Sequence, residues 1–324
     1  MNYSIRFIEL TLAIDTEDFE KHLDRAYQRA EKKGYSMYPV NFGHVDESLI
    51  EKGIGIAYHD DCKRKKIKLI VYCPSLVIND DLDELWEPTP GNTTKLTGKL
   101  DKIIVKYFQS DYGLGDFDLA RVDFATDINI GSREKVSEYI RTLHNIGYVK
   151  CFAPMKYGNN DGETKDLCFG LNGISNGVNF RIHALKHEKR LLRVEIRLVK
   201  KATIQAYSSN ETDTAEQIRA LAEGSEHILM DSFQHIIPPG DYYKKDRATK
   251  LVIERVSDMK LRRRMLRLLT LVKEKKSIHL AIKALNYRRC NDILASFAEI
   301  DVSPVTISKR RDAKKLDSLY GYLG

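Results

Sequence analysis

The sequence predicts an α+β protein, with an antiparallel central sheet that has helices on one face and an all-helical basic region at its C-terminal end. Two observations indicate this class. Up to about residue 200, most segments alternate apolar and polar residues, which is typical of strands, and loops rich in Gly and Asn separate them. From Thr212 onwards the apolar residues recur at helical spacing. A strand meander followed by helices favours α+β over a parallel sheet.

The first part of the chain predicts a strand, a helix, two strands and a second helix. Their expected ranges are Ser4–Ile14, Glu17–Lys33, Ile54–His59, Lys66–Cys73 and Thr93–Phe108. The segment Gly91–Lys99 superficially resembles a phosphate-binding loop, but its glycine spacing is wrong and Leu100 stands where that motif needs Ser or Thr. We therefore expect a helix there.

The middle of the chain predicts a strand, a helix and four more strands. Their expected ranges are Ala120–Ile130, Arg133–Asn145, Tyr148–Phe152, Asp166–Gly170, Asn179–His187 and Arg193–Val199. The last two strands are joined by a short charged turn, so we expect them to be neighbours.

The C-terminal part predicts six helices and the start of a recognition helix. The expected helices are Ala215–Ala222, Ile228–Ile236, Arg247–Val256, Leu261–Lys273, Ser277–Leu285 and Asn291–Phe297, and the recognition helix would lie in Ser303–Leu316. We expect three regions: an α+β nuclease-like domain over 1–207, a helical connector over 208–243, and a basic helical DNA-binding region over 244–324.

Positive charge is concentrated near the C-terminal end. Between Lys244 and Asp317 the chain has 21 Lys and Arg against 9 Asp and Glu, a net charge of +12. The whole chain carries +7, so the rest carries −5. This distribution indicates a surface for a polyanion in the C-terminal quarter. The alternative is a solvated helix face, which is usual for runs of charge.

Cysteine spacing and the length of the apolar runs indicate in which compartment of the cell the protein works. Five scattered cysteines without a CxxC spacing support neither a disulfide framework nor a zinc ribbon. No apolar run approaches the roughly 18 residues that cross a bilayer. The sequence therefore predicts a protein of a reducing cytoplasm, with no membrane partner.

Charged residues inside three strands form the candidate site. Burying an unpaired charge is expensive, so such residues usually lie at an ion pair, a metal or a cleft. By strand alternation, Asp123 and Asp127 share one side of their strand, Ala184 and Lys186 lie on one side of the next, and Arg193, Glu195 and Arg197 share a side of the last.

These strands resemble a known family. The segments RVDFATD, a strand similar to Y-x-K-x-x-E, and LRVEIRL resemble rolling-circle replication initiators of filamentous phages (the gene II type) and the trans-acting Rep proteins of plasmids. The resemblance covers roughly Asp118–Tyr207, and more weakly Leu266–Pro304. It implies a protein that binds a rolling-circle origin and nicks one DNA strand by transferring a phosphodiester to a tyrosine.

The resemblance places that nucleophilic tyrosine at position 184, where this chain has alanine. Ala184 is an engineered replacement, a natural loss, or a sign that another tyrosine such as Tyr207 or Tyr157 acts instead. Alanine cannot attack a phosphate, so the chain as it stands is expected to bind DNA without cutting it. A non-catalytic DNA-binding or regulatory protein on the same fold is the alternative function, and a single-strand binding module is a third.

The three acids have two interpretations. The resemblance implies that Asp123, Asp127 and Glu195 hold Mg²⁺ or Mn²⁺, with Lys186 assisting at the phosphate and Glu195 also counted as catalytic. The residues alone instead favour ion pairs of the acids with arginines of the same strands, namely Arg121, Arg193 and Arg197. His183 is expected to lie apart from the acids, as an ordinary core or surface histidine.

The expected DNA contacts lie in the basic region. They are Arg262, Arg263, Arg264, Arg288, Arg289, Lys309, Arg310 and Arg311. Tyr287 is expected to stack on a base. The expected partner is origin DNA, single-stranded or in a hairpin, in a bacterial host; a host helicase and a second copy of the chain are further candidate partners.

Overall fold

The computed structural model describes residues 3–61, 64–79, 85–156, 167–185, 188, 190–287 and 290–323. Its strands in chain order are β1 Ser4–Ile14, β2 Tyr38–Val40, β3 Gly43–Asp46, β4 Ile54–Asp60, β5 Lys65–Val71, β6 Asp118–Asn129, β7 Phe152–Pro154, β8 Cys168–Gly173, β9 Val178–Ala184, β10 Leu191–Leu198, β11 Tyr242–Tyr243 and β12 Lys315–Leu316.

The longer helices account for most of the remaining described chain. In chain order they are α1 Thr16–Lys33, α2 Pro74–Asn79, α3 Pro90–Tyr107, α4 Arg133–Leu143, α5 Lys201–Tyr207, α6 Thr214–Glu223, α7 Ser225–Ile236, α8 Lys245–Arg255, α9 Met259–Lys275, α10 Ile278–Leu285 and α11 Cys290–Glu299. The α+β class, the antiparallel sheet and the helical C-terminal region are thereby confirmed.

The chain divides into two compact units. The amino-terminal unit comprises Asn2–Ala125 and Arg197–Leu229, and the carboxy-terminal unit comprises Thr126–Ile196 and Met230–Gly324. Their boundaries differ from the three consecutive regions expected above. The reason is strand pairing over long sequence separations, since β6 and β10 each have residues in both units.

The amino-terminal unit has the strand order β2-β3-β4-β5-β1-β6. Its neighbouring strands pair antiparallel throughout, with Leu10 opposite Leu69 between β1 and β5. On β1, Ile8, Leu10 and Leu12 are buried while the residues between them are partly exposed. Helices α1 and α2 pack against β5 and β1. This sheet therefore has one apolar face under helices and one polar face.

The carboxy-terminal unit has the strand order β6-β10-β9-β8-β7. Helix α4 packs on β8 and β9. Phe180 and Ile182 of β9 are fully buried, whereas Arg181 and His183 between them are partly exposed. The same alternation as in the other unit therefore separates an apolar face from a polar one.

The helix termini follow local capping rules. Asp15 caps α1 by accepting from the backbone N–H of Asp18 at 2.9 Å, and Gly34 ends the helix at a φ of 74°. Helix α3 begins at Pro90 with Thr89 as its cap, a few residues before the expected start. Gly91–Lys99 lies within this helix, so it forms no phosphate-binding loop.

The expected recognition helix in Ser303–Leu316 is wrong. Val302 and Ile307 form parallel bridges to Asp241 and Lys244, and the segment ends in β12, which pairs with β11. Pro304 lacks a backbone N–H, and the β-branched residues that follow it, Val305, Thr306 and Ile307, are buried outside any helix. The basic residues of this segment therefore do not lie on a helix.

Within the part of the chain that the structure describes, no helix has both the length and the apolar character that crossing a membrane requires.

A buried polar cluster ties β3 to α3 in the amino-terminal unit. The Asp46 carboxylate accepts hydrogen bonds from the Tyr107 hydroxyl at 2.5 Å, the Tyr35 hydroxyl at 3.0 Å and the Ser48 backbone N–H at 2.8 Å. Burial alone would raise the pKa of Asp46, but these hydrogen bonds outweigh it and lower that pKa below its ordinary value.

This cluster predicts that the folded protein loses stability in acid. Because the folded-state pKa of Asp46 is below that of the unfolded chain, about 3.9, its contribution to stability is present above that pH and is lost as the pH falls. We expect Asp46→Asn to lower the free energy of unfolding by about 1–3 kcal/mol at pH 7. The difference from wild type should narrow below about pH 4 in urea titrations.

The exposed Asp24 of α1 provides the control, because Asp24→Asn should leave the unfolding curve unchanged at every pH. A difference between wild type and Asp46→Asn that stays constant from pH 7 to pH 3 would show that the Asp46 carboxylate is not the acid-sensitive group.

Candidate active site and nucleic-acid interface

The first pair of the candidate site joins β6 to β10 in the carboxy-terminal unit. The Arg193 guanidinium donates from Nε and Nη2 to the two carboxylate oxygens of Asp127, at 2.6 and 2.5 Å. The side chains are 7% and 20% exposed. A bidentate pair with so little exposure fixes both side chains and uses both Asp127 oxygens.

The second pair joins β9 to β10 in the same unit. His183 Nε2 lies 3.2 Å from Glu195 Oε1, and the two side chains are 26% and 14% exposed. Glu195 is two residues from Arg193, so both lie on the same face of β10. The expectation that His183 lies apart from the acids is therefore wrong. It overlooked the pairing register of the two strands, which places His183 beside Glu195.

The third acid belongs to the amino-terminal unit. Asp123 accepts from Arg121 Nε at 2.7 Å and from Arg197 Nε at 3.1 Å, and its side chain is 7% exposed. The Arg121 guanidinium also covers the ring of Phe7 on β1, 4.0 Å from its centroid. The ion pairs that the residues alone favoured are thus present for Asp123 and Asp127.

This arrangement does not fit a metal ion. Both oxygens of Asp123 and of Asp127 accept from arginines, whose positive charge opposes a cation beside them. No cluster of three or more His, Cys, Asp or Glu suited to a metal ion occurs among the described residues. We therefore derive no chemical step through Mg²⁺ or Mn²⁺.

Position 184 lies on the other side of β9. Ala184 alternates with Ile182 and Phe180, which are fully buried, so its Cβ points to their face and not to the face of Glu195. The expectation that a nucleophile at 184 shares a pocket with Glu195 does not agree with this alternation. Lys186 and Tyr157 lie outside the described residues, and Tyr207 ends α5 in the amino-terminal unit.

The expected DNA-binding residues have different surroundings. Arg262 donates to the carbonyls of Val256 and Ser257, which closes the connection from α8 to α9. Arg264 lies 3.9 Å from the centroid of the Tyr287 ring, so a cation covers one face of this ring.

The remaining expected contacts divide into paired and exposed residues. Lys309 pairs with Asp246 at 3.1 Å, and Arg311 lies 3.8 Å from Glu138. Arg263 and Arg310 are exposed. Arg288 and Arg289 lie outside the described residues.

A cavity beside α4 was not anticipated from the sequence. It has a volume of about 620 Å³ and lies between α4 and the segment 312–316. Arg133, Lys135, Arg141 and Lys315 line it together with acids, among which Glu138 has one carboxylate oxygen that is buried and lacks a hydrogen bond from any described residue. No sequence pattern reveals this cavity, because distant segments form it.

Comparisons of the chain with family models, with curated proteins and with solved structures found no match.

The Arg193–Asp127 pair predicts that alanine substitution will lower the free energy of unfolding much more at Arg193 than at Arg190, an exposed arginine of the same hairpin. Arg193→Ala leaves a mostly buried carboxylate unpaired, so we expect the free energy of unfolding to fall by about 2 kcal/mol. Arg190 is 65% exposed and lies 3.7 Å from Glu188, so Arg190→Ala should cost less than about 0.5 kcal/mol. Urea unfolding of both variants measures the two losses of unfolding free energy. Equal losses would contradict a stabilising role for the Arg193–Asp127 pair.

Proposed function

We propose that the protein is a replication initiator of the rolling-circle kind, which binds origin DNA and nicks one strand by phosphodiester transfer. One observation carries the DNA-binding part of the proposal: an exposed stripe of cations on α9. The nicking part rests on the resemblance of the strand segments and on the His183–Glu195 pair, which lies in the same compact unit as α9.

The cationic stripe consists of Lys260, Arg263 and Arg267. Their spacing of three and four residues puts them on one side of α9, and all three are exposed. The opposite side of the helix is buried through Met265, Leu268 and other apolar residues. The stripe therefore keeps its orientation because the helix is held by its apolar side.

The stripe also matches the spacing of a nucleic-acid backbone. From Lys260 to Arg267 the helix rises about 10 Å, which corresponds to about three nucleotides of one strand. No described residue forms an ion pair with any of the three cations, and all of them point to solvent. Contact with phosphates would therefore release counterions without first breaking an internal ion pair.

The ion pairs of Asp123 and Asp127 favour a second function, that of a non-catalytic DNA-binding protein on the same fold. Asp123 and Asp127 are held by arginines and offer no ligand set for a metal among the described residues. Dependence on Mg²⁺ or Mn²⁺ stays a prediction from the resemblance alone. Either function would be performed in the cytoplasm of a bacterial host, with a helicase or a second copy of the chain as further proposed partners.

The stripe predicts how binding responds to salt. Replacing its residues in the triple variant Lys260→Gln, Arg263→Gln and Arg267→Gln should weaken binding to duplex and single-stranded oligonucleotides. The slope of log affinity against log salt should become shallower by about 0.7–0.9 for each lost phosphate contact. Fluorescence anisotropy over a series of salt concentrations measures both effects.

Three exposed lysines of the amino-terminal unit give a control of equal charge, namely Lys32, Lys33 and Lys52. Their replacement by glutamine changes the net charge by the same amount and should leave the slope unchanged. Equal losses in the two triple variants would show a general effect of net charge and would contradict a binding surface on α9.

Nicking is tested on DNA that surrounds the protein's own gene. In a supercoiled plasmid carrying this DNA, conversion to the open circle in Mg²⁺ or Mn²⁺ by the wild type or by the Ala184→Tyr variant, abolished by EDTA, would support the initiator function. Salt-dependent binding without any open circle from either protein would leave the non-catalytic function instead.

A further inference from the structure

We propose that the cavity beside α4 is a binding site for a nucleotide whose base carries an exocyclic amino group. The cavity lies in the carboxy-terminal unit, between α4 and the segment 312–316. Its volume of about 620 Å³ is within the range of small-molecule pockets. None of the three cations of the α9 stripe lines it, so the inference goes beyond the proposed function and does not depend on it.

A buried acceptor in the wall of the cavity determines what the ligand must donate. Glu138 lines the cavity from α4, and its Oε2 is buried and accepts no hydrogen bond from any described residue. Its Oε1 lies 3.9 Å from Arg141 Nη1 and 3.8 Å from Arg311 Nη1, which is too far for a hydrogen bond. Because a carboxylate only accepts and a buried acceptor without a donor is costly, Glu138 favours a ligand with an N–H or O–H group.

Two cations of the same helix determine the other end of the ligand. Arg133 and Lys135 line the cavity, are exposed, and form no ion pair with any described residue. Lys315, on the facing segment, is instead held by two aspartates at 2.7 and 3.0 Å. Arg133 and Lys135 precede Glu138 by about one helical turn, which is about 5–8 Å along the axis. An anionic group can therefore contact both cations without breaking an internal ion pair.

A nucleotide has the chemistry that these groups require. Its phosphate suits Arg133 and Lys135, and a base amino group donates to Glu138 Oε2. Ala313 and Leu316 of the facing segment provide apolar surface for the base. An amino acid also carries an anion and an N–H donor, but it is much smaller than the cavity. Adenine, cytosine and guanine have an exocyclic amino group, whereas thymine and uracil have carbonyl oxygens, which would face another acceptor.

The experiment compares ligands that differ in one group. The nucleotides dCMP and dUMP differ only at the base edge, where cytosine has an amino group and uracil a carbonyl oxygen. In calorimetric titrations of the full-length wild type, dCMP should bind at least about 10-fold more tightly than dUMP, which leaves Glu138 Oε2 without that donor. Deoxycytidine, which lacks the phosphate, should also bind at least about 10-fold more weakly than dCMP.

Two variants test which residues contact the base and the phosphate. Glu138→Gln keeps the shape of the side chain, but its amide both donates and accepts, so the preference for dCMP over dUMP should fall below about 3-fold. The double variant Arg133→Gln and Lys135→Gln should weaken binding of dCMP and dUMP by equal factors and keep the preference. Urea unfolding shows that each variant is folded.

A matched control removes the same charge elsewhere in the carboxy-terminal unit. Lys275 and Lys283 are exposed and do not line the cavity. The double variant Lys275→Gln and Lys283→Gln should therefore bind dCMP and dUMP as the wild type does.

Oligonucleotides of dC and of dT distinguish a free nucleotide from a nucleotide within a DNA strand. If the cavity takes an unpaired nucleotide of a strand, Glu138→Gln weakens binding of oligo(dC) and leaves binding of oligo(dT) unchanged. If it takes a free nucleotide, Glu138→Gln changes the binding of dCMP but of neither oligonucleotide.

Three results would overturn the site. They are equal affinities of the wild type for dCMP and dUMP, an unchanged preference in Glu138→Gln, and no binding of dCMP at millimolar concentration. None of them bears on the α9 stripe, because oligo(dT) lacks the amino group and reports on the stripe separately. Loss of oligo(dT) binding in the α9 triple variant, with dCMP binding retained, would show that the two sites are independent.

Discussion

The alternation of side chains along β6, β9 and β10 is the constraint on which the candidate site depends. Each strand places its apolar residues on a buried face, where Phe180, Ile182 and Ile196 are fully inaccessible. The charged residues between them must then lie on the other face, because successive side chains of a strand point to opposite sides. A shift of one residue in any strand would bury its charges and expose its core.

Ion pairs make this polar face stable. Asp123 and Asp127 are mostly buried, and an isolated carboxylate in such a place would be costly. Arginines on the same or the neighbouring strand supply matching donors, in a bidentate arrangement for Asp127. The same arginines make the face unsuited to a divalent cation. The His183–Glu195 pair differs from the other two because the partner of the carboxylate is an imidazole, whose Nδ1 lies 3.4 Å from the backbone carbonyl of Ala184.

Much of the fold could be predicted from the sequence, since it depends on local patterns. Alternation in RVDFATD and LRVEIRL gave the two strands that carry the acids, and helical spacing gave α8 and α9 within two residues at each end. The arginine partners of Asp123 and Asp127 were also foreseeable. Arg121 lies two residues before Asp123, and Arg193 and Arg197 lie on another strand that alternates charged and apolar residues. The helix expected in Ser303–Leu316 failed because helical propensity was judged without the paired residues Asp241 and Lys244.

The part of the site that could not be predicted depends on register between strands. Nothing in the local sequence says that His183 lies beside Glu195, because that contact depends on how β9 and β10 are paired. Short motifs point to position 184, whereas alternation along β9 places His183 on the face that carries Glu195. The β2–β3 hairpin was missed for a similar reason, as its strands are too short to show alternation.

The most direct test of the account is the energetic coupling between His183 and Glu195. A double-mutant cycle with His183→Ala, Glu195→Ala and the double variant, measured by urea unfolding, should show a coupling of at least about 0.5 kcal/mol. A parallel cycle with Ala184→Gly and Glu195→Ala should be additive, because those side chains lie on opposite faces. Additivity in the first cycle, or coupling in the second, would contradict the assignment of faces on which the candidate site rests.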